Sequence, residues 1–463
     1  MKIALLIANR GFFPSSVIHS ARQEMLAAFS RAGIDAIYPE ESATRYGAVE
    51  TLQEGIVFSE FLAAHRGEYD GLVICLPNFG DENGIKMAIR DCDVPILVQA
   101  YPDRLDEMDF AHRRDAFCGK LALTSVLTQM GTKYTTYLPF TTHPTSAEFD
   151  HQLKNFAAIC RIVSRMKHLR IGAVGARTTA FKSVRFDEMA LENHGIDVET
   201  YDLSAIFAAI RDMEDNDPQV QSRLADLHRV CDFSAAPTGR DIKLAKFAVA
   251  MDTLAKENRL DTMAIRCWSE LQLELGITPC AAMGLMNQEG IPVVCEMDVT
   301  NAIAMIGLQL AGESGTGCLD WNNNYGDDPN KCILFHCGPL PMDLMEGPGV
   351  AQQHKMLSKS YGEGCSWGLN VGKIKTGLIT YAGMRTQNGQ VQFYVDTANI
   401  VDAPISEEFF GIHAVIETPD LQRKLQTISA AGFRHHVAIV QGDVKEALAE
   451  AFTKYLGYQQ IVL

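Results

Sequence analysis

Along the first third of the chain, apolar residues fall in short unbroken blocks separated by stretches where they recur every three or four positions. Ile3–Ala8, Leu72–Leu76 and Pro95–Gln99 have strand length, while Val17–Ala32, Val49–Ala64 and Ala116–Met130 carry the helical period, the first of these ended by Gly33. Such alternation predicts parallel β-α-β units in a doubly wound sheet. Leu138–Ser146, with its Pro and Thr residues, reads as a loop.

A second alternation begins near Lys167. Arg170–Val174, Ile196–Tyr201, Thr262–Cys267 and Pro292–Cys295 read as strands, and Ile242–Lys256, Pro279–Asn287 and Val299–Leu310 as helices. Thr278 is the expected N-cap of the helix that opens on Pro279. After about Ala311 the pattern changes. Leu378–Met384 and Gln390–Ile400 read as strands joined by Asn388-Gly389, a two-residue hairpin signal. Gly and Pro are frequent between Asn322 and Gly372, and Val444–Lys454 reads as a closing helix. The expectation is three domains: α/β over 1–166, α/β over 167–311, and mainly antiparallel β over 312–463.

Composition narrows the class. A chain of 463 residues exceeds one ordinary core, and 47% hydrophobic with 21% charged residues is the balance of a globular protein. The net charge of −16 argues against an extended nucleic-acid surface. The opening apolar stretch is too short for a signal peptide, and no later apolar run reaches bilayer length. Twelve cysteines are scattered without a C-x2-C pair, as expected of reduced thiols in a cytoplasmic enzyme of small metabolites. Neither a nucleic-acid nor a membrane partner is expected.

Chemistry-bearing residues stand at strand ends. Glu296, in CEMD, follows a strand and precedes a helix, which places it at the crevice end of an α/β sheet; alternatively it merely complements the dipole of that helix. Asp320 ends the stretch TGCLD and could equally be a turn residue. His336 ends ILFH before a Gly-Pro turn, where a satisfied core histidine is the plain alternative. His435 and His436 open HHVAIV, and as neighbours in a strand they point to opposite faces. Two carboxylates and an imidazole suit Mn²⁺ or Mg²⁺, the imidazole shifting preference towards Mn²⁺ or Co²⁺. Arg10 and Asn9 follow the first strand, and Trp268 could stack on a sugar face or simply pack. Trp321, His143 and Lys182 are weaker candidates of the same kind.

The segment CEMDVTNAIAMIGLQLAGESGTGCLDWNN resembles the metal-site segment of the L-fucose isomerases and, less closely, of the L-arabinose isomerases; HHVAIV resembles the metal-histidine segment of both. The resemblance implies two Rossmann-like (flavodoxin-like) domains followed by a barrel-like β domain, with Glu296, Asp320 and His436 as metal ligands and the two carboxylates also catalytic. It offers His336 as a candidate fourth ligand and His435 as a substrate-side candidate, and implies that Arg10 reaches a neighbouring subunit's site; Trp268 and Trp321 remain substrate-side candidates on their ring chemistry alone. It further implies a ketol isomerase using Mn²⁺, Co²⁺ or Mg²⁺ on a monosaccharide, in an assembly of identical subunits with active sites near their interfaces. Two other readings stay open: a metal-dependent sugar lyase or aldolase, which would use the same site, and a non-catalytic sugar-binding sensor. A nicotinamide enzyme is disfavoured because no G-x-G-x-x-G follows either first strand.

Overall fold

The apolar blocks of the first third become four parallel strands: β1 (Lys2–Ile7), β2 (Asp35–Ile37), β3 (Gly71–Leu76) and β4 (Ile96–Ala100), in the order β2-β1-β3-β4. In the computed structural model, which describes residues 1–406 and 408–463, β3 and β4 are buried throughout. Unbroken hydrophobicity is what a parallel sheet covered on both faces requires. The helices Val17–Arg31 and Ala116–Gln129 match expectation. The helix expected from Val49 starts later, at Leu52, because Thr51 caps it in a capping box with Glu54 while Val49 pairs with the first strand. The sequence reading assigned nothing to the stretch after Ser146, which forms the helix Ala147–Met166. Phe149, Leu153, Phe156 and Cys160 supply its core face at helical spacing.

The chain divides into two compact units, Met1–Ser164 and Arg165–Leu463. The second begins with another parallel sheet made of β5 (Leu169–Val174), β6 (Ile196–Tyr201), β8 (Thr262–Ile265) and β9 (Val293–Val294), in the order β6-β5-β8-β9. Both sheets therefore share one strand order, the doubly wound pattern. Thr278 is not a cap. Its hydroxyl donates to the Ser366 carbonyl at 3.0 Å, and the helix begins at Cys280 behind Pro279.

The remaining strands are mostly antiparallel. β10 (Gly317–Asn324), β11 (Lys331–His336), β14 (Gly377–Gln387), β15 (Gln390–Val401), β16 (Ile412–Glu417) and β17 (His436–Gln441) run in the order β14-β17-β10-β11-β16-β15, and β14 pairs with β15. The ring is thus closed into a six-stranded barrel, which leaves no free edge among these strands. The β14–β15 hairpin turns at Asn388 and Gly389, both with positive φ, as the sequence predicts. β18 (Gln459–Gln460) adds to β15. A small sheet joins β7 (Cys231–Asp232) to β12 (Gly349–Gln353) and β13 (Trp367–Val371).

The helix Val299–Gly312 packs on β8, β14 and β17, and so lies between this unit's parallel sheet and its barrel. It is buried on almost every side. At Gly307 an added Cβ would sit 2.6 Å from the Phe452 ring, so glycine permits the close approach. Among the described residues no helix is long and apolar enough to cross a membrane.

Candidate active site

After β9 the chain turns through Cys295, Glu296 and Met297 into the helix Val299–Gly312. Glu296 and Met297 have φ of 64° and 63°, a left-handed conformation costing a non-glycine residue about 1–3 kcal/mol. The turn is held by Met297 N–H donating to the Ile265 carbonyl at 3.1 Å and Asp298 N–H donating to the Cys295 carbonyl at 3.2 Å. It delivers Glu296 to the carboxyl end of the parallel sheet, where such folds place ligands. The helix is capped by Asp298, whose Oδ1 accepts from Asn301 N–H at 3.1 Å, so the capping role open to Glu296 belongs to its neighbour.

Asp320 and His436 are far apart in sequence but directly opposed in the β10–β17 register. Opposed residues of an antiparallel pair share a face within about 5 Å. Helix start and barrel wall converge here: His436 Nε2 lies 2.9 Å from Glu296 Oε2 and 3.7 Å from Asp320 Oδ1. Its Nδ1 lies 2.8 Å from Asp298 Oδ2. Trp268 Nε1 donates to Glu296 Oε1 at 3.3 Å.

Asp298 is fully buried and accepts from Arg434 Nη1 at 2.5 Å and from the Thr300 hydroxyl at 3.2 Å. Arg434 is anchored in turn by the carbonyls of Met384 and Ser183, each at 3.1 Å. The histidine is therefore oriented from behind by a carboxylate that is itself clamped.

The charges are strongly coupled. Burial would depress His436, but the hydrogen bonds its ring donates to Asp298 and Glu296 reverse this and raise it from 6.5 to about 10. Burial pushes Asp320 from 3.8 up to about 7, with His436 opposing and the Glu296 charge adding to the rise. For Glu296 burial is outweighed by His436, and it stays below its ordinary value. Asp298 is held low against burial by Arg434 and His436. Burial lowers His336 from 6.5 to about 4.

Three carboxylates thus surround one imidazole, and Asp320 Oδ1 is buried with no hydrogen-bond partner among the described residues. Buried polar atoms are rarely left in this state. An unsatisfied carboxylate oxygen beside a second carboxylate and an imidazole nitrogen is a donor set that fits a divalent cation of the Mn²⁺ type. Ligand atoms of Glu296, His435 and His436 lie within 4.8 Å of one another, as do those of Cys318, His336 and His436.

These groups face a cavity of about 380 Å³. Glu296, Asp320, His336 and Trp268 line it, and the helix Lys355–Tyr361 closes another side with Met356 and Tyr361. Among the described residues no disulfide joins any of the cysteines, and Cys267, Cys280, Cys295 and Cys337 stand in the cavity wall.

Of the residues singled out from sequence, Glu296, Asp320, His436, His336, His435 and Trp268 come together; His435 Nε2 lies 3.9 Å from Asp320 Oδ1. Trp321 does not. As the strand neighbour of Asp320 it points the other way, into the barrel core, where its Nε1 donates to the Tyr394 hydroxyl at 3.1 Å and its ring meets Tyr381 edge-on. Lys182 is exposed. Arg10, Asn9 and His143 belong to the first unit, where the Arg10 guanidinium pairs with Glu82 and the Gly80 carbonyl and covers the Phe79 ring.

Asp298 and Arg434 went unnoticed in the sequence. The acid two places after Glu296 at a helix start was the available signal. Nothing local marks Arg434.

Residues 4–167 match the fucose/sulfoquinovose isomerase N-terminal domain, and residues 334–462 match the L-fucose isomerase C-terminal domain. His336 and His436 lie in the second match; Glu296 and Asp320 lie between the two. The chain is 22% identical over 384 residues to a sulfoquinovose isomerase of Alkalicoccus urumqiensis, covering 82% of this chain and 83% of that one. It is 22% identical over 313 residues to a sulfoquinovose isomerase of Priestia aryabhattai, covering 66% and 68%. Among solved structures, an ABC-transporter solute binding protein from Rhodopseudomonas palustris BisB5 aligns over 73% of this chain and 68% of that chain, at 11% identity and a TM-score of 0.18, too low to bear on the fold. With two domain matches in chain order and sulfoquinovose isomerases as relatives along most of its length, the chain belongs to the fucose isomerase-like family of sugar isomerases.

Proposed function

We propose that this protein is a divalent-metal-dependent ketol isomerase that interconverts an aldose and its ketose through an enediol(ate), with Glu296, Asp320 and His436 as metal ligands and Mn²⁺, or else Co²⁺ or Mg²⁺, as the ion. One observation carries the reading: at the wall of a sugar-sized cavity, His436 Nε2 stands 2.9 Å from Glu296 and 3.7 Å from Asp320 Oδ1, a buried carboxylate oxygen with no hydrogen-bond partner among the described residues. When bound, the ion supplies Lewis-acid stabilisation of charge developing on neighbouring sugar oxygens.

The chain's own residues do the rest. Shifting the carbonyl between adjacent carbons needs one group to take a carbon-bound proton and another to move a hydroxyl proton, and Glu296 and Asp320 are carboxylates that line the cavity and can do so. Asp298 fixes His436 with its Nδ1 bound, which leaves Nε2 to face the carboxylates. Trp268 steadies Glu296 and, with Phe181 and Phe335, walls the cavity against water.

The relatives make sulfoquinovose a candidate substrate and the carboxy-terminal match makes L-fucose another. A cytoplasmic assembly of identical subunits is proposed with them. The deciding experiment is a panel of neutral aldoses, these two sugars and the matching ketoses, assayed with Mn²⁺ and after chelation. Expected is a product with the same number of carbons, lost on chelation and restored by Mn²⁺. Two carbon fragments would replace the isomerase by a lyase. Sugar binding indifferent to chelation, with no turnover, would replace it by a sensor.

A further inference from the structure

We propose that His336 serves this site as a neutral N–H donor to a sugar oxygen, and not as a fourth metal ligand; the inference rests on the isomerase reading and deepens it. His336 ends β11, is buried and lines the cavity. The backbone N–H of Cys337 donates to its Nδ1 at 2.8 Å. That bond occupies the Nδ1 lone pair, so the neutral ring carries its hydrogen on Nε2. Nε2 has no hydrogen-bond partner among the described residues. A metal ion needs a lone pair at that nitrogen, whereas an oxygen gaining negative charge needs the hydrogen already there.

His436, with its ring centre 6.1 Å away, is set the opposite way. Its Nδ1 faces a carboxylate, Asp298, which can only accept, so a hydrogen stays on Nδ1; the proton that Nε2 shares with Glu296 is the one an ion would displace, and Nε2 would then offer its lone pair. Two neighbouring imidazoles are thus given opposite tautomers by what sits behind them, a backbone donor at one and a carboxylate at the other. His354 repeats the His336 arrangement in the same wall: its Nδ1 accepts from Leu357 N–H at 3.3 Å, and its Nε2 lies 3.2 Å from Cys337 Sγ. The Cys337 strand end therefore receives a hydrogen from one histidine and gives one to the other. The rival role for His336 is ligation together with Cys318 and His436, whose ligand atoms lie near its own.

The test has a structural and a thermodynamic readout besides activity. Neutron diffraction, or nitrogen NMR of the histidine-labelled chain, should place the His336 hydrogen on Nε2; a hydrogen on Nδ1 overturns the proposal. Mn²⁺ titrated into metal-free His336→Ala and His336→Gln chains should bind within about threefold of the wild-type affinity. A loss of tenfold or more in both, on the scale of about 1.4 kcal/mol, makes His336 a ligand and overturns it. With the best sugar of the panel, kcat should fall by about 100-fold in His336→Ala, with KM moving far less. His336→Gln, whose amide N–H reaches the Nε2 position, should recover part of that loss; an unchanged kcat in His336→Ala overturns the proposal. If the wild-type chain isomerises no sugar, the functional reading fails while tautomer and Mn²⁺ affinity still decide between donor and ligand. If neither variant folds, the tautomer in the wild-type chain decides alone.

Discussion

The two parallel sheets have the same strand order, yet the carboxyl ends of their strands are finished in opposite ways. In the first unit the charged and polar side chains beyond the strand ends pair with one another, and the buried atom left over in the sheet, Gln99 Oε1 in β4, belongs to a neutral amide. Asn78, fully buried after β3, donates to Asn9 Oδ1 at 2.6 Å, and Asn9 donates to Glu50 at 2.7 Å. Tyr101, after β4, donates to Glu24 at 2.6 Å, and Arg10 pairs with Glu82. In the second unit the end of β9 carries a strained Glu296, and the facing barrel strand holds Asp320 with a buried oxygen left over. Satisfied networks rigidify; like charges packed around one imidazole oppose folding and hold affinity for a cation in reserve. Strand order therefore does not distinguish a structural crevice from a chemical one. The chemistry of the atom left over does: an amide oxygen in the first unit, a carboxylate oxygen near an imidazole in the second.

Each prediction breaks one side of this contrast. Glu296→Gln should reduce isomerisation by about 10³-fold with any substrate, while the unfolding midpoint falls modestly because the charge that His436 favours in the folded chain is removed. Near-normal turnover in this variant would defeat the site assignment. Asp298→Asn should weaken Mn²⁺ binding by about 10- to 100-fold, because His436 loses the partner that sets its ring. It should also lower the melting temperature, since buried Arg434 loses its counter-charge. Calorimetric titration and thermal unfolding read the two effects separately, and an unchanged Mn²⁺ affinity would remove Asp298 from its positioning role. The smallest effect is expected across the divide. Asn78→Ala should destabilise the first unit by about 1–3 kcal/mol in denaturant unfolding, because Asn9 Oδ1 and Gly80 N–H lose their partner. Mn²⁺ affinity should not follow, and a change there would erase the contrast.

Much of this was legible beforehand where structure is local. Apolar blocks marked the parallel strands because both faces of such sheets are covered, and Asn388-Gly389 marked the hairpin because both residues tolerate positive φ. The twenty-residue helix Ala147–Met166 is equally local, since its apolar residues recur at helical spacing. Trp321 has the ring chemistry that could serve a site, but it follows Asp320 in a strand, where adjacency means opposite faces.

By itself, then, the sequence determined the alternating elements, the change from parallel to antiparallel texture, and which residue types could hold a cation, since each depends on short-range periodicity or on side-chain chemistry. Only the tertiary structure decided that the β14–β15 hairpin pairs outward with β17 and β16 to complete the barrel, that the β10–β17 register sets Asp320 against His436, and that Asp298 and Arg434 stand behind that histidine. Register and closure arise from contacts between segments far apart in the chain, and an oxygen becomes orphaned only when burial removes the water that would otherwise satisfy it.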